Sequence, residues 1–208
     1  LEVCRGRVMA SVFYEPSTRT NFSFQAAMLR LGGTVFGFAD PKSSSAAKGE
    51  SLKDTVKMVS GYADVVVMRT PWEGSAKAAS LYSDVPVINA GDGGHMHPTQ
   101  TMADLTAITR LLGRADGLSI GLCGDLKNGR TVHSLIKAMA KFENIRFFLI
   151  SPRELAIPGY MRAFLQERGM GFTEVTGLEA VIPQLDVLYM TRIQKERFVD
   201  PLEYERNK

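Results

Sequence analysis

Arg7-Val8-Met9-Ala10-Ser11-Val12-Phe13-Tyr14-Glu15-Pro16-Ser17-Thr18-Arg19-Thr20 is the stretch on which the fold turns. Residues 7 to 14 are too continuously apolar for a half-exposed strand and read as a buried one. Residues 20 to 31 then place Phe24, Met28 and Leu31 on one helical face, and Gly32 with Gly33 ends the helix. The Ser-Thr-Arg-Thr run therefore sits where a buried strand passes into a helix. Such a join aims free backbone N–H groups, and the positive end of the helix dipole, at whatever occupies it.

The same alternation continues outward from this unit. A strand at 34 to 39, a helix at 51 to 62 carrying Leu52, Val56 and Val59, and a strand at 64 to 69 follow, then a further helix and the strand 85 to 89. Pro98 opens a long helix with Met102, Leu105, Ile108 and Leu112 as its apolar positions, stopped by Gly113. Beyond a boundary placed at 113 to 117 the pattern restarts with strand 118 to 123, helix 130 to 142, strand 145 to 150, helix 158 to 168, a short strand, helix 178 to 185 and strand 186 to 191. Strands alternating with helices imply α/β architecture: two α/β domains, 1–113 and 114–208, each with a mainly parallel sheet flanked by helices. Ser43 to Ala47 is the one low-complexity stretch and reads as a mobile loop.

Bulk properties exclude several classes. A hydrophobic fraction of 45% with 23% charged residues is that of a soluble globular chain, and no apolar run approaches the ~20 residues of a membrane span. The formal charge of +3 is spread too evenly for a nucleic-acid groove and suits small anions better. Cys4 and Cys123 are the only cysteines and lie far apart, which fits a reducing cytoplasm and leaves no disulfide framework or paired zinc signature. A secretory leader is not expected at the start of the chain.

Candidate chemistry gathers at strand ends. Ser17, Thr18 and Thr20 offer hydroxyl donors and Arg19 a planar cation able to grip two oxygens of a phosphate. Helix capping alone explains the hydroxyls; an arginine inside the cap points further. Arg69 ends the strand Val65-Val66-Val67-Met68, where parallel sheets collect ligands, although a surface salt bridge explains a lone arginine equally well. Asn89-Ala90-Gly91-Asp92-Gly93-Gly94 reads as a flexible turn delivering His97, Pro98, Thr99 and Gln100 to the next helix start. Placed there among arginines, His97 is expected to serve as a neutral donor to a carbonyl oxygen, with a plain N-cap histidine as the alternative. His95 and His97 lack further ligands, so no metal is expected. In the second half, Gly124 to Arg130 and Met190 to Arg197 each bring an arginine to a loop edge, and two such arginines suit a dicarboxylate. Neither a dinucleotide fingerprint nor a Walker loop occurs, so a nucleotide cofactor is not indicated.

Taken together, Phe13-Tyr14-Glu15-Pro16-Ser17-Thr18-Arg19-Thr20, Lys48-Gly49-Glu50, Met68-Arg69, Asn89 through Gln100, Gly124 through His133, and Tyr189 through Arg197 resemble the catalytic chain of the aspartate carbamoyltransferase family over nearly the whole sequence. The resemblance implies carbamoyl transfer from carbamoyl phosphate to L-aspartate in pyrimidine synthesis, by a cytoplasmic homotrimer with shared active sites and no metal or organic cofactor. It further implies that Ser17, Thr18, Arg19, Thr20 and Arg69 hold the phosphate, that Thr20, Arg69 and His97 touch the carbonyl oxygen, and that Gln100 meets the carbamoyl amide. Arg130, Arg192 and Gln194 would hold aspartate. A serine and a lysine donated by the neighbouring subunit look like Ser44 and Lys48, with Ser43 or Ser45 the alternatives to Ser44. Residues 1–113 would form the carbamoyl-phosphate-binding domain and 114–208 the aspartate-binding domain.

Family members carry an extra N-terminal helix and continue beyond Lys208, so the sequence is expected to be truncated at both ends. Two rival readings follow: ornithine carbamoyltransferase, against which Arg192 with Gln194 argues, and a truncated, non-catalytic anion-binding module. A regulatory subunit or a larger multifunctional polypeptide would be the further partners.

Overall fold

The computed structural model describes residues 1–191 apart from His95 and the side chain of Ser43. Alpha-carbon contacts divide the chain into two compact units, Leu1–Thr99 and Gln100–Lys208. In the first, strands β1 (Val8–Phe13), β2 (Thr34–Phe38), β3 (Val65–Thr70) and β4 (Val87–Asp92) form one sheet in the order β2-β1-β3-β4. All its pairings are parallel. Helices α1 (Thr18–Arg30), α2 (Leu52–Ser60) and α3 (Ser75–Ser80) supply the crossovers. The second unit repeats the plan. Strands β5 (Ser119–Cys123), β6 (Arg146–Ile150), β7 (Gly171–Val175) and β8 (Val187–Met190) lie parallel in the order β7-β6-β5-β8, with α4 (Pro98–Leu112), α5 (Arg130–Met139) and α6 (Gly159–Glu167).

The doubly wound order has a direct consequence for the site. From β1 the chain moves to β2 on one side and then returns to β3 on the other, so the winding reverses between β1 and β3. It reverses again between β5 and β8 in the second sheet. Parallel strands on either side of such a reversal send their connections to opposite faces and leave a crevice at their carboxyl ends.

Burial explains why these strands are so apolar. β1 and β3 are central strands covered on both faces, and Ala10, Val12, Val66 and Met68 pack with Val56 and Val59 of α2 while Met9, Phe13 and Val67 pack with Met28 of α1. In the second unit Ile120, Leu122, Phe147 and Leu149 meet Val132, Leu135, Ile136 and Met139 of α5. Each such side chain contributes roughly 1.5–3 kcal/mol on leaving water.

Two expectations of local structure are corrected. The segment Asn89–Asp92 is not a flexible turn but the end of β4, with Ala90 fully buried and only Gly93 and Gly94 turning. No helix spans 178–185: Gly177 and Pro183 flank or interrupt the stretch, which holds a single 3-10 turn at Ile182–Gln184. Ser43–Ala47 falls in two consecutive 3-10 turns, Pro41–Ser43 and Ser45–Lys48, the first capped by Asp40. Helix α4, placed by the sequence in the first domain, sends Leu105 and Ile108 into the core of the second sheet, which is why the compact units part at 99/100 and not at 113.

Candidate active site

Among the described anion-binding candidates of the first unit, Ser17 to Thr20 and His97 follow the carboxyl ends of β1 and β4, Arg69 is the penultimate residue of β3, and Ser44 and Lys48 lie in the 3-10 segment. Phe13 pairs with Arg69 across β1 and β3, and Tyr14 N–H donates to the Arg69 carbonyl at 2.8 Å. This sets Arg69 beside the start of the segment that leads through Pro16 to α1. Ser17 is the N-cap of α1 in an extended conformation (φ −159°, ψ 90°), yet its side chain makes no capping hydrogen bond and no acidic residue stands in the first turn. A serine at this position normally closes the cap. Here the hydroxyl does not close the cap, and no acidic side chain of the first turn neutralises the positive helix end.

The helix start is nevertheless rigidly placed. Asn21, buried, accepts the Ser11 hydroxyl of β1 on its side-chain oxygen at 2.7 Å and the Gln25 amide at 2.7 Å. Asn21 thus ties the first turn of α1 to the strand beneath it. Arg19 is exposed and makes no ion pair among the described residues, while Thr18 is exposed and Thr20 half-buried.

Arg69 behaves differently. Its side chain is 10% exposed and its Nη2 donates to Glu15 Oε1 at 2.8 Å. Its Nε is buried with no hydrogen-bond partner, and a permanently charged donor in that condition is costly unless something else completes it. Gly91, at φ +127°, lies against this guanidinium: a Cβ there would stand 3.6 Å from Nη1 in a backbone conformation closed to other residues. Asp92 organises the turn that follows, accepting from Gly74 N–H on Oδ2 at 3.0 Å and from Met96 N–H on Oδ1 at 3.1 Å. That turn delivers His97, half-buried, whose Nδ1 lies 3.5 Å from the Thr99 hydroxyl.

Ser44 and Lys48 sit in the 3-10 segment. The Ser44 hydroxyl donates to Pro41 O at 2.8 Å and caps the second turn, accepting from Ala46 N–H at 3.3 Å; Lys48 is exposed. The structure does not bring either residue to the α1 terminus by a hydrogen bond within this chain.

In the second unit, Arg130 opens α5 behind the loop from β5. Asp125, buried, folds that loop by accepting from Asn128 N–H at 2.9 Å and from its side-chain amide at 3.2 and 3.1 Å. His133 donates Nε2–H to Leu126 O at 2.7 Å and accepts the Tyr160 hydroxyl on Nδ1 at 3.0 Å. Burial holds its pKa below the ordinary histidine value, so the neutral imidazole acts as a structural clamp on the loop that carries Arg130. Thr191 ends the described chain at the carboxyl end of β8, with N–H donated to Cys123 O at 2.7 Å. Arg192 and Gln194 lie outside the described residues. On α4, Gln100 Nε2 donates to Asp104 Oδ1 at 2.9 Å, and burial raises the Asp104 carboxyl while hydrogen bonding from Gln100 and Tyr189 opposes the rise.

Sequence reasoning did not single out Glu15, Asn21, Asp92, Asp104 or His133. Glu15, Asp92 and His133 stood inside quoted motifs, but only the partner distances give them roles. Among the described residues no group of three or more histidine, cysteine, aspartate or glutamate side chains could hold a metal ion, and no helix is long and apolar enough to cross a membrane.

Comparison with known proteins places the chain in a family. Residues 1–110 match the family model for the aspartate/ornithine carbamoyltransferase carbamoyl-P binding domain. The aspartate carbamoyltransferase catalytic subunit of Clostridium novyi is 61% identical over 207 residues, covering 100% of this chain and 68% of that protein. The corresponding subunit of Clostridium perfringens strain SM101 is 60% identical, covering 99% and 67%. Among solved structures, the catalytic subunit of M. jannaschii aspartate transcarbamoylase superposes with a TM-score of 0.92 at 52% identity, covering 100% of this chain and 68% of that one. Trypanosoma cruzi aspartate transcarbamoylase in complex with carbamoyl phosphate and aspartate gives a TM-score of 0.85 at 38% identity, covering 100% and 70%. With relatives matched over the whole of this chain and about two thirds of their own length, the chain belongs to the aspartate carbamoyltransferase catalytic-subunit family.

Proposed function

We propose that this chain transfers the carbamoyl group of carbamoyl phosphate to the amino group of L-aspartate, yielding N-carbamoyl-L-aspartate and phosphate for pyrimidine synthesis. The observation that carries the reading is the α1 terminus, where Ser17 occupies the N-cap without capping and Arg19 stands exposed in the first turn. Such an end lacks an anion, and a phosphate supplies one.

In this reading Ser17, Thr18, Arg19, Thr20 and Arg69 hold the phosphate of carbamoyl phosphate. Thr20, Arg69 and His97 meet the carbonyl oxygen, and Gln100 accepts from the carbamoyl amide. Arg130, Arg192 and Gln194 hold the aspartate carboxylates. The amine nitrogen of aspartate attacks the carbamoyl carbon, the bond from that carbon to the phosphate oxygen breaks, and the electron pair leaves with phosphate. Negative charge develops first on the carbonyl oxygen and then on the departing group, and fixed cations and neutral donors stabilise both. The amine proton goes either to the departing phosphate or to Lys48 in its neutral amine form. Alignment of the two reactants itself can lower the barrier by roughly 7–11 kcal/mol, so neither a covalent nucleophile nor a cofactor is required.

The assembly in this reading is a cytoplasmic homotrimer in which Ser44 and Lys48 complete the site of a neighbour. Exposure of Lys48 in a segment whose fold is fixed by its own hydrogen bonds supports that assignment. Arg19→Ala tests the phosphate assignment. Carbamoyl phosphate binding followed by calorimetry is expected to disappear while the circular dichroism spectrum and denaturation midpoint stay near those of the parent; a grossly unfolded variant would mark Arg19 as a structural cap.

A further inference from the structure

Asp104 has no place in the chemistry described so far, and its surroundings do not suit a carboxylate. Its Oδ1 accepts from Gln100 Nε2 at 2.9 Å, one helical turn earlier on α4, and the Tyr189 hydroxyl of β8 is a second hydrogen-bonding neighbour. Gln–Asp pairs at this spacing support exposed helices only slightly, which does not by itself offset the desolvation of a half-buried carboxylate. Of its two polar neighbours, Gln100 is the one assigned to the substrate.

The contact decides which way the Gln100 amide faces. As a carboxylate Asp104 can only accept, so the amide must turn its nitrogen toward it and its oxygen away. The carbamoyl group of the substrate ends in an NH2, which only donates. A glutamine free to rotate would present its own NH2 to that group about as readily as its oxygen. We infer that Asp104 is a positioning residue that locks the Gln100 amide with its oxygen outward, so that the site offers an acceptor to the carbamoyl NH2 and discriminates carbamoyl phosphate from phosphate. This rests on the reading of Gln100 as the partner of the carbamoyl amide.

The experiment is a double-mutant cycle on the full chain, with Asp104→Ala, Gln100→Ala and the pair, read by equilibrium binding of carbamoyl phosphate and, separately, of inorganic phosphate. Asp104→Ala is expected to weaken carbamoyl phosphate binding about tenfold, the loss of one hydrogen bond of ordinary worth. It should leave phosphate binding unchanged and cost nothing further once Gln100 is already alanine. Asp104→Asn, whose amide donates as readily as it accepts and so no longer fixes the Gln100 amide, should recover only part of the affinity. Equal weakening of both ligands, an undiminished loss in the Gln100→Ala background, or no loss at all would overturn the positioning role. If Gln100→Ala alone leaves the preference for carbamoyl phosphate over phosphate intact, the assignment of Gln100 itself fails, and that result is separable from failure of Asp104 to act through it.

Discussion

Replacing Arg69 by Met separates what this residue does for binding from what it does for the fold. Met preserves most of the buried aliphatic stem but removes the guanidinium, and with it the Nη2 contact to Glu15 Oε1 at 2.8 Å. On the stability side, the lost ion pair joins a 10%-exposed side chain to a 32%-exposed carboxylate, a setting worth about 1 kcal/mol once solvent screening is allowed for. Against this, the variant removes a buried Nε with no acceptor, a deficit that costs about 1–3 kcal/mol. Glu15 is exposed enough to be rehydrated. The two effects nearly cancel or favour the variant, so the urea midpoint is expected to stay level or rise slightly. Binding should respond far more strongly. Two charge-assisted hydrogen bonds to an oxyanion at about 1.5–3 kcal/mol each correspond to a loss of about 100-fold or more in carbamoyl phosphate affinity. Urea denaturation and titration calorimetry on the same preparation read both quantities. Destabilisation by more than about 3 kcal/mol, the signature of a broken buried strut, would refute the reasoning, as would unchanged affinity.

Two further outcomes follow from the geometry. Gly37, at φ +144° in β2, would place a Cβ 1.9 Å from Ser11 O, so Gly37→Ala is expected to cost about 2–4 kcal/mol by denaturant unfolding, and a loss under ~1 kcal/mol would show that β2 can shift aside. His133 has a pKa lowered by burial from the ordinary histidine value of about 6.5; the unfolded chain therefore binds the proton more readily, stability is complete above about pH 6.5 and is lost as pH falls toward the lowered native value, a dependence that His133→Gln should flatten and that unchanged acid unfolding in the variant would contradict.

How much could be read in advance depended on whether local pattern or tertiary contact decides a segment. β1, α1, β3 and α5 were legible because buried strands and amphipathic helices carry their own periodicity. The strand-to-helix join at Ser17–Thr20 was legible because strand and helix start are contiguous in sequence. Asn89–Asp92 was misread, since its asparagine, aspartate and glycine have turn chemistry; pairing with β3 and the two backbone N–H groups held by Asp92 override it. The 178–185 stretch failed for the opposite reason, an apolar pattern too short to hold a helix past Gly177 and Pro183. The pairings Arg69–Glu15, across 54 residues, and Asn21–Ser11, across 10, join side chains brought together only by the sheet. No spacing rule encodes them.

The most direct test of the central claim is product formation when the protein is supplied with carbamoyl phosphate and either L-aspartate or L-ornithine. The account predicts N-carbamoyl-L-aspartate and no product from ornithine, because the two arginines proposed to meet the amino acid would select a dicarboxylate. Carbamoylation of ornithine alone would contradict it.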